Sequence, residues 1–173
     1  MSRRRPTFDF SPKATRRMAD DPENTLIMTL SSGGPVVIRL RPDLAPNHVA
    51  RIKELAREGF YDDVTFHRVI DGFMAQGGDP GGTGRGGSDK PNLKAEFTDT
   101  PHVRGVCSMA RTPQKDSANS QFFICLDDAR FLDNEYTVWG EVVEGMEHVD
   151  ALPKGEPPLN PGRIESLKVA ADA

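Results

Sequence analysis

The residues best suited to chemistry lie in one segment, residues 66–79, that mixes polar side chains with large apolar ones. It holds a single arginine, Arg68, and a single glutamine, Gln76, among phenylalanine, valine, isoleucine and methionine. A guanidinium donates strong hydrogen bonds and keeps its proton at neutral pH. The pattern alone leaves two interpretations open: one cation in an apolar groove, or a structural, salt-bridged arginine at the rim of a barrel.

Two further segments combine aromatic rings with amide or hydroxyl groups. They are residues 120–124, which contain Gln121 and Phe123, and residues 130–136, which contain Phe131 and Tyr136. Each segment, taken singly, is more typical of a core than of a site. Residue types and spacing therefore indicate an aromatic-rich surface with one unusual arginine, and no more.

The motifs of common enzyme classes are absent from the sequence. It has no H-E-x-x-H, C-x-x-C or G-x-S-x-G pattern. Residues 82–87 match G-x-G-x-x-G, but Pro91 stands where the helix of a dinucleotide site would begin. We therefore expect a glycine-rich loop there, with no cofactor and no metal. The four histidines are scattered along the chain: His48, His67, His102 and His148.

The elements that position these residues are predicted to be mainly β-strands. Residues 26–30 and 36–40 form a hairpin around a turn at 31–35, and residues 46–58 form a helix that Gly59 caps. A second helix is predicted at 145–152. Along the strand predicted at 64–70, alternation places Phe66 and Arg68 on one face. Further strands are predicted at 73–76, 105–111, 121–126, 137–143 and 164–170, a pattern typical of a closed barrel or sandwich.

Composition and cysteine usage are those of a soluble intracellular domain. The chain is 36% hydrophobic and 28% charged, and no apolar run is long enough to span a membrane. Two cysteines, Cys107 and Cys125, are too few for a disulfide framework. We expect buried free thiols in the reducing cytoplasm, with a single bridge between them as the alternative.

Charge divides the chain into a basic start and an acidic body. Residues 1–17 carry six Lys or Arg against one Asp, a net charge of +5, so the remainder of this −4 chain carries −9. We expect residues 1–23 to be a disordered basic tail and residues 24–173 to be one domain. The acidic body argues against a nucleic-acid partner. A nucleic-acid-binding tail and a start at Met18 are the alternatives left open.

Four motifs, in their order and spacing, resemble the cyclophilin family of peptidyl-prolyl isomerases. They are residues 66–79, 108–111, 119–124 and 131–133, and the resemblance covers roughly residues 24–170. It implies a mainly β fold, a closed eight-stranded antiparallel barrel capped by two α-helices, with the substrate groove outside. It also implies a cofactor-free enzyme that accelerates rotation about Xaa-Pro bonds and assists protein folding as a chaperone.

The same resemblance implies partners and an alternative function. The expected partners are proline-containing peptides and unfolded or partly folded proteins, bound by a monomer in the cytoplasm with no nucleic acid and no membrane. The alternative is a non-catalytic module that binds proline-containing peptides in the same groove.

The resemblance assigns roles to eleven residues. Arg68 is the principal catalytic residue, grouped with Phe73 and Gln76. The remaining eight bind substrate: Met74, Ala110, Arg111, Gln121, Phe123, Phe131, Leu132 and Tyr136. Within these sets, the proline pocket consists of Phe73, Met74, Phe123 and Leu132.

The sequence departs from the best-known eukaryotic pattern at three of these positions. Phe131 stands where those members carry tryptophan, Tyr136 where they carry histidine, and Arg111 where they carry asparagine. Phenylalanine lacks the indole N–H donor. We therefore expect isomerase activity to be kept and cyclosporin binding to be weak.

Overall fold

The computed structural model describes residues 21–173, which form an eight-stranded sheet with two α-helices. The helices are α1 (Pro46–Arg57) and α2 (Met146–Asp150). Short 3-10 turns occupy Pro22–Asn24, Arg130–Leu132 and Ala170–Asp172. The strands are β1 (Thr25–Leu30), β2 (Gly33–Leu40), β3 (Arg68–Ile70), β4 (Met74–Gly77), β5 (Val106–Met109), β6 (Phe122–Cys125), β7 (Val138–Glu144) and β8 (Ile164–Val169).

The strands pair antiparallel in the order β3-β4-β6-β5-β7-β2-β1-β8. The predicted fold class, mainly β with eight antiparallel strands and two helices, is confirmed. The barrel is not fully closed as predicted, because no ladder of backbone hydrogen bonds joins the two edge strands, β3 and β8. Thr65 and Arg163 form an isolated bridge, and the Ile164 N–H donates to the Val64 carbonyl at 2.9 Å.

The hairpin and α1 form where the sequence predicted them. The hairpin turn is tighter than expected, since β2 already begins at Gly33, with a φ of 131° that favours glycine. At the end of α1, Gly59 has a φ of 72° and its N–H donates to the Ala56 carbonyl. The Phe60 N–H reaches back to the Leu55 carbonyl at 3.0 Å, which completes a Schellman motif and confirms the predicted cap.

The sheet separates an interior core from a smaller apolar cluster on its outer face. Phe122 lies at the centre of the interior, where its ring makes edge-on contacts with those of Tyr61, Phe66 and Trp139. Phe123, the next residue along β6, points to the outer cluster instead. Alternation along β6 thus assigns neighbouring phenylalanines to the core and to the outer surface.

The predicted shared face of Phe66 and Arg68 is wrong. Phe66 is fully buried in the interior together with Val69, whereas Arg68 lies on the outer surface. β3 begins only at Arg68, so strand alternation does not extend back to Phe66.

The two cysteines are free and buried, as expected. Cys107 lies in the interior and Cys125 in the outer cluster, on opposite faces of the sheet. Burial raises the pKa of the Cys125 thiol to about 12 and that of Cys107 well above its ordinary value. Both thiols are therefore protonated and unreactive at neutral pH.

Residues 1–20 of the predicted tail lie outside the described residues. Asp21, Pro22 and Glu23 are described, and Glu23 forms ion pairs with Lys53 and Arg57 of α1. Within residues 21–173, no helix has the length and apolar character needed to cross a bilayer.

Candidate active site

A small cleft opens on the outer face of the sheet. Its volume of about 140 Å³ is below the range of roughly 300–1,000 Å³ typical of ligand pockets, so it accommodates one ring or side chain. Nine of the eleven predicted site residues line it: Arg68, Phe73, Met74, Gln76, Ala110, Arg111, Phe123, Leu132 and Tyr136.

Strand register explains why residues distant in sequence meet here. Arg68 of β3 lies opposite Gln76 of β4, Gln76 lies opposite Phe123 of β6, and Phe123 lies opposite Ser108 of β5. Side chains directly opposite one another in an antiparallel sheet point to the same face. One row across four strands therefore brings the guanidinium, an amide and an aromatic ring to the same surface.

The guanidinium of Arg68 is held on two edges and remains accessible. Its Nη1 donates to Gln76 Oε1 at 3.4 Å, and its Nε donates to Glu156 Oε1 at 3.1 Å. The side chain is 44% exposed. The two interpretations from sequence are thus both correct in part, because Arg68 is salt-bridged and also lines a cleft with an apolar wall. Sequence reasoning missed Glu156, which lies in a proline-rich connection without any motif.

The amides continue from Arg68 towards the glycine-rich loop. Gln76 Nε2 donates to Gln121 Oε1 at 3.1 Å, and Gln121 Nε2 donates to the Gly86 carbonyl at 2.8 Å. Gln121 does not line the cleft itself but an adjoining groove beside residues 84–88. Gln76 thus contacts Arg68 directly, and Gln121 orients Gln76.

The apolar wall of the cleft is formed by rings packed edge to face. Phe123 is buried, and its ring centroid lies 5.5 Å from that of Tyr136 in a T-shaped arrangement. Phe131 lies outside the cleft proper, 72% exposed, with its ring centroid 5.6 Å from that of Phe73 at the rim. Leu132, the next residue, is buried in the wall.

Arg111 braces the cleft rather than offering free donors to it. Its Nε and Nη2 donate to the Glu135 carbonyl at 3.0 and 2.6 Å, and its Nη1 donates to the Thr112 carbonyl at 2.9 Å. The guanidinium carbon lies 4.7 Å from the centroid of the Tyr136 ring, within cation–π distance. Within residues 21–173, Arg68 therefore keeps three N–H groups without a protein partner, whereas Arg111 donates four of its five to backbone carbonyls.

A buried polar network supports the wall from behind, and sequence reasoning missed it. The His102 ring stacks against Phe123 with 6.2 Å between centroids. Its Nδ1 lies 3.0 Å from Asp133 Oδ1 and its Nε2 lies 3.0 Å from Ser108 Oγ. The chain of contacts from Ser108 through His102 to Asp133 resembles the Ser-His-Asp triad of hydrolases. However, Ser108 is fully buried, and its hydroxyl donates to the Thr137 carbonyl. No substrate reaches the hydroxyl, so the network is structural.

Ionisation in this network follows from burial and charge. Burial lowers the pKa of His102, against the opposing effect of its contact with Asp133. Burial also acts to raise the pKa of Asp133, but hydrogen bonds from Arg130 and His102 outweigh it and hold that pKa at about 2.

Asp79 organises the glycine-rich loop beside the cleft. Its carboxylate accepts hydrogen bonds from the N–H groups of Gly81, Thr83 and Gly84 at 2.8–2.9 Å. Burial acts to raise its pKa, but these donors and the Gly86 N–H outweigh burial and lower it to about 2. The loop is thus folded around one ionised side chain, and the predicted glycine-rich loop is present.

Replacing Asp79 with asparagine is expected to lower the free energy of unfolding at pH 7 by about 2 kcal/mol. The folded pKa lies below the ordinary value of 3.8. The stabilisation is therefore complete above about pH 4 and is lost as pH falls towards 2, so the two proteins should converge there. Urea unfolding from pH 7 to 2 measures this. The exposed Asp89→Asn is the control, and a constant difference at all pH values contradicts the prediction.

Within residues 21–173, no three His, Cys, Asp or Glu side chains come together as ligands for a metal ion. The arrangement offers an exposed cation, an apolar wall and hydrogen-bonding amides around a space for one ring. Such a site can bind and polarise a neutral group without covalent chemistry.

Comparison with known proteins gives one consistent result. The family model described as "Cyclophilin type peptidyl-prolyl cis-trans isomerase/CLD" matches residues 25–169. A "Probable peptidyl-prolyl cis-trans isomerase" of Brucella suis biovar 1 (strain 1330) is 50% identical over 170 residues, covering 89% of this chain and 86% of the relative.

Solved structures agree with the sequence comparison. The crystal structure of cyclophilin AquaCyp293 from Hirschia baltica superposes with a TM-score of 0.84 at 31% identity, covering 95% of this chain and 82% of that one. A Cryptosporidium parvum cyclophilin type peptidyl-prolyl cis-trans isomerase, crystallised in the presence of the dipeptide Ala-Pro, has a TM-score of 0.78 at 27% identity. That match covers 84% of this chain and 98% of the other.

Proposed function

This chain belongs to the cyclophilin-type peptidyl-prolyl cis-trans isomerase family, and we propose that it isomerises Xaa-Pro bonds of protein substrates in the cleft around Arg68. The proposal is carried by one observation: Arg68, which keeps three N–H groups without a partner among the described residues, lines a ring-sized cleft with an apolar wall on the outer face of the sheet.

The reaction needs no nucleophile because no covalent bond breaks. Rotation about a peptide bond is opposed by about 18–20 kcal/mol of resonance stabilisation, and the two isomers before proline differ by only ~0.5–1 kcal/mol. Acceleration from ~10⁻² to ~10² s⁻¹ requires about 5.5 kcal/mol of transition-state stabilisation. Hydrogen bonds and desolvation in one small cleft can supply this amount.

Arg68 stabilises the twisted state more than the planar one. In the planar amide the nitrogen lone pair is delocalised, whereas in the twisted state it becomes a hydrogen-bond acceptor. A guanidinium N–H placed at that nitrogen therefore binds the transition state selectively. One preorganised donor of this kind is typically worth ~2.7–4 kcal/mol.

The apolar wall supplies the remainder. Phe73, Met74, Phe123 and Leu132 hold the proline ring away from water, which disfavours the well-hydrated planar carbonyl relative to the twisted amide. Gln76 steadies Arg68 through its Oε1, and its Nε2 donates one N–H to Gln121 and keeps the second N–H for the substrate backbone. The ring stays fixed while the residue before proline turns.

Assay of the wild-type protein tests this function. We expect the full chain to accelerate isomerisation of a short Ala-Pro-containing peptide, followed by NMR exchange spectroscopy, in proportion to protein concentration. Binding of the peptide without faster exchange would identify the non-catalytic alternative. If the peptide neither binds nor isomerises faster in the presence of the protein, the proposal is overturned.

The wider partners remain those expected from the sequence. We propose that the substrates are unfolded or partly folded proteins, that the chain acts as a monomer, and that it functions in the cytoplasm. Buried free thiols at Cys107 and Cys125 are compatible with a reducing compartment. Sedimentation of the purified protein and cell fractionation test the oligomeric state and the compartment.

Cyclosporin is expected to bind weakly, and Phe131→Trp is expected to tighten binding about 3- to 10-fold. Phe131 is exposed at the rim and carries no N–H, and one neutral hydrogen bond is worth ~0.5–1.5 kcal/mol. Isothermal titration of wild type, Phe131→Trp and the control Phe131→Leu gives the comparison. Equal affinity of wild type and Phe131→Trp would reject the missing donor as the cause.

A further inference from the structure

Glu156 is opposite Arg68, and we infer that it is a positioning residue that sets the orientation of this guanidinium for the reaction. This inference rests on the proposed function of Arg68 and extends it to a residue that carries no motif. Three independent features support it: backbone register, side-chain geometry and the local sequence around Glu156.

Backbone register places the two residues face to face. Val69 and Gly155 form an isolated antiparallel bridge, with N–H to carbonyl hydrogen bonds of 2.9 Å in both directions. In antiparallel pairing, the residue before one partner lies opposite the residue after the other. Arg68 and Glu156 are therefore directly opposed, at a separation where cross-strand side chains of opposite charge interact.

The side chains of Arg68 and Glu156 are in direct contact. Arg68 donates its Nε–H to Glu156 Oε1 at 3.1 Å and an Nη1–H to Gln76 Oε1 at 3.4 Å. A guanidinium is rigid and planar with five N–H groups. Contacts at two of its edges fix its plane and leave three N–H groups, one on Nη1 and two on Nη2. These three groups are the donors available to the cleft that Arg68 lines.

The sequence around Glu156 limits the pairing to this one contact. Gly155 has a φ of 142°, and a Cβ there would lie 2.6 Å from the Pro158 Cα, so the bend requires glycine. Pro157 has no N–H and cannot extend the ladder. The connection therefore touches β3 at Val69, presents one carboxylate to Arg68, and then turns away.

The ion pair is too exposed to matter much for folding. Its side chains are 44% and 56% exposed, and pairs of this kind contribute little to stability. Orientation of the guanidinium is a different quantity, because a misaligned donor loses transition-state stabilisation even when the protein is fully folded. The effect of Glu156 is therefore expected in turnover rather than in stability.

Kinetics of Glu156→Ala test the inference. We expect kcat to fall about 3- to 10-fold with KM changed less than two-fold and Tm unchanged. Glu156→Gln, which retains an oxygen acceptor, is expected to recover most of the loss. The matched control is Glu165→Ala. Glu165 lies on β8, away from the cleft, is similarly exposed, and forms an ion pair with Arg163 at 3.5 Å. It removes the same charge and should match wild type.

The Arg68 Nε–H resonance in ¹⁵N NMR reports the environment of the guanidinium itself. A change in the free energy of unfolding alone would not shift it. We expect it to shift or broaden in Glu156→Ala and to stay unchanged in Glu165→Ala. Unchanged kinetics in Glu156→Ala, increased turnover, or an unchanged Nε–H resonance would each overturn the inference. An inactive wild type would instead reject the proposed function, so the two failures are distinguishable.

Discussion

Replacing Arg68 with alanine is expected to lower kcat/KM about 10²- to 10³-fold while the protein stays folded. Of the two arginines that line the cleft, Arg68 keeps three N–H groups without a protein partner in the part of the chain that the structure describes, whereas Arg111 donates four of its five to backbone carbonyls. Its removal leaves the pocket for the proline ring but no partner for the twisted nitrogen. Substrate should still bind, so the loss should fall mainly on kcat.

Two further variants make this result specific. Arg68→Lys is also expected to be poor, because a single ammonium cannot contact Glu156, Gln76 and the substrate from one plane. Arg163→Ala removes an arginine of similar exposure, 48%, outside the cleft and should leave kcat/KM unchanged. Activity of Arg68→Ala within two-fold of wild type would place the chemistry elsewhere.

Replacing Phe122 with alanine is expected to lower the free energy of unfolding by about 3–5 kcal/mol. Phe122 is buried at the centre of the interior, and its ring contacts those of Tyr61, Phe66 and Trp139. Three rings would lose their common neighbour, and the fixed barrel cannot collapse to fill the space. This amount is a large share of the ~5–15 kcal/mol typical of a whole domain.

Urea unfolding measures that loss against a surface control. Phe131→Ala removes the same ring from a position that is 72% exposed, so the free energy of unfolding should change by less than about 0.5 kcal/mol. A loss below about 1 kcal/mol in Phe122→Ala would mean that the interior is not packed around this ring.

The elements predicted correctly from sequence are those with strong local signals. Helix α1 has an apolar stripe, a proline at its start and Gly59 at its end, and each of these acts within a few residues. The strands around the cleft begin and end within a few residues of the predicted positions for the same reason. The family resemblance, rather than local pattern, named the nine side chains that line the cleft, and their roles in the reaction stay predictions.

The errors and omissions come from contacts between distant segments. Alternation suggested that Phe66 and Arg68 share a face, but pairing of residues 63–66 with 162–164 interrupts β3 and turns Phe66 inward. Glu156 meets Arg68 only because Gly155 pairs with Val69, 86 positions earlier in the chain. No periodicity within either segment reports such a pairing.

The short edge strand β3 also bears on how a bound peptide interacts with the sheet. Its one residue with outward-facing backbone groups, Val69, is already paired with Gly155, and two prolines without N–H groups follow at 157 and 158. Strand β3 therefore offers an extended proline-containing peptide no free backbone groups on which to build an intermolecular sheet. The peptide can bind at the guanidinium and dissociate, whereas an edge strand with free backbone groups would favour aggregates that grow by strand addition.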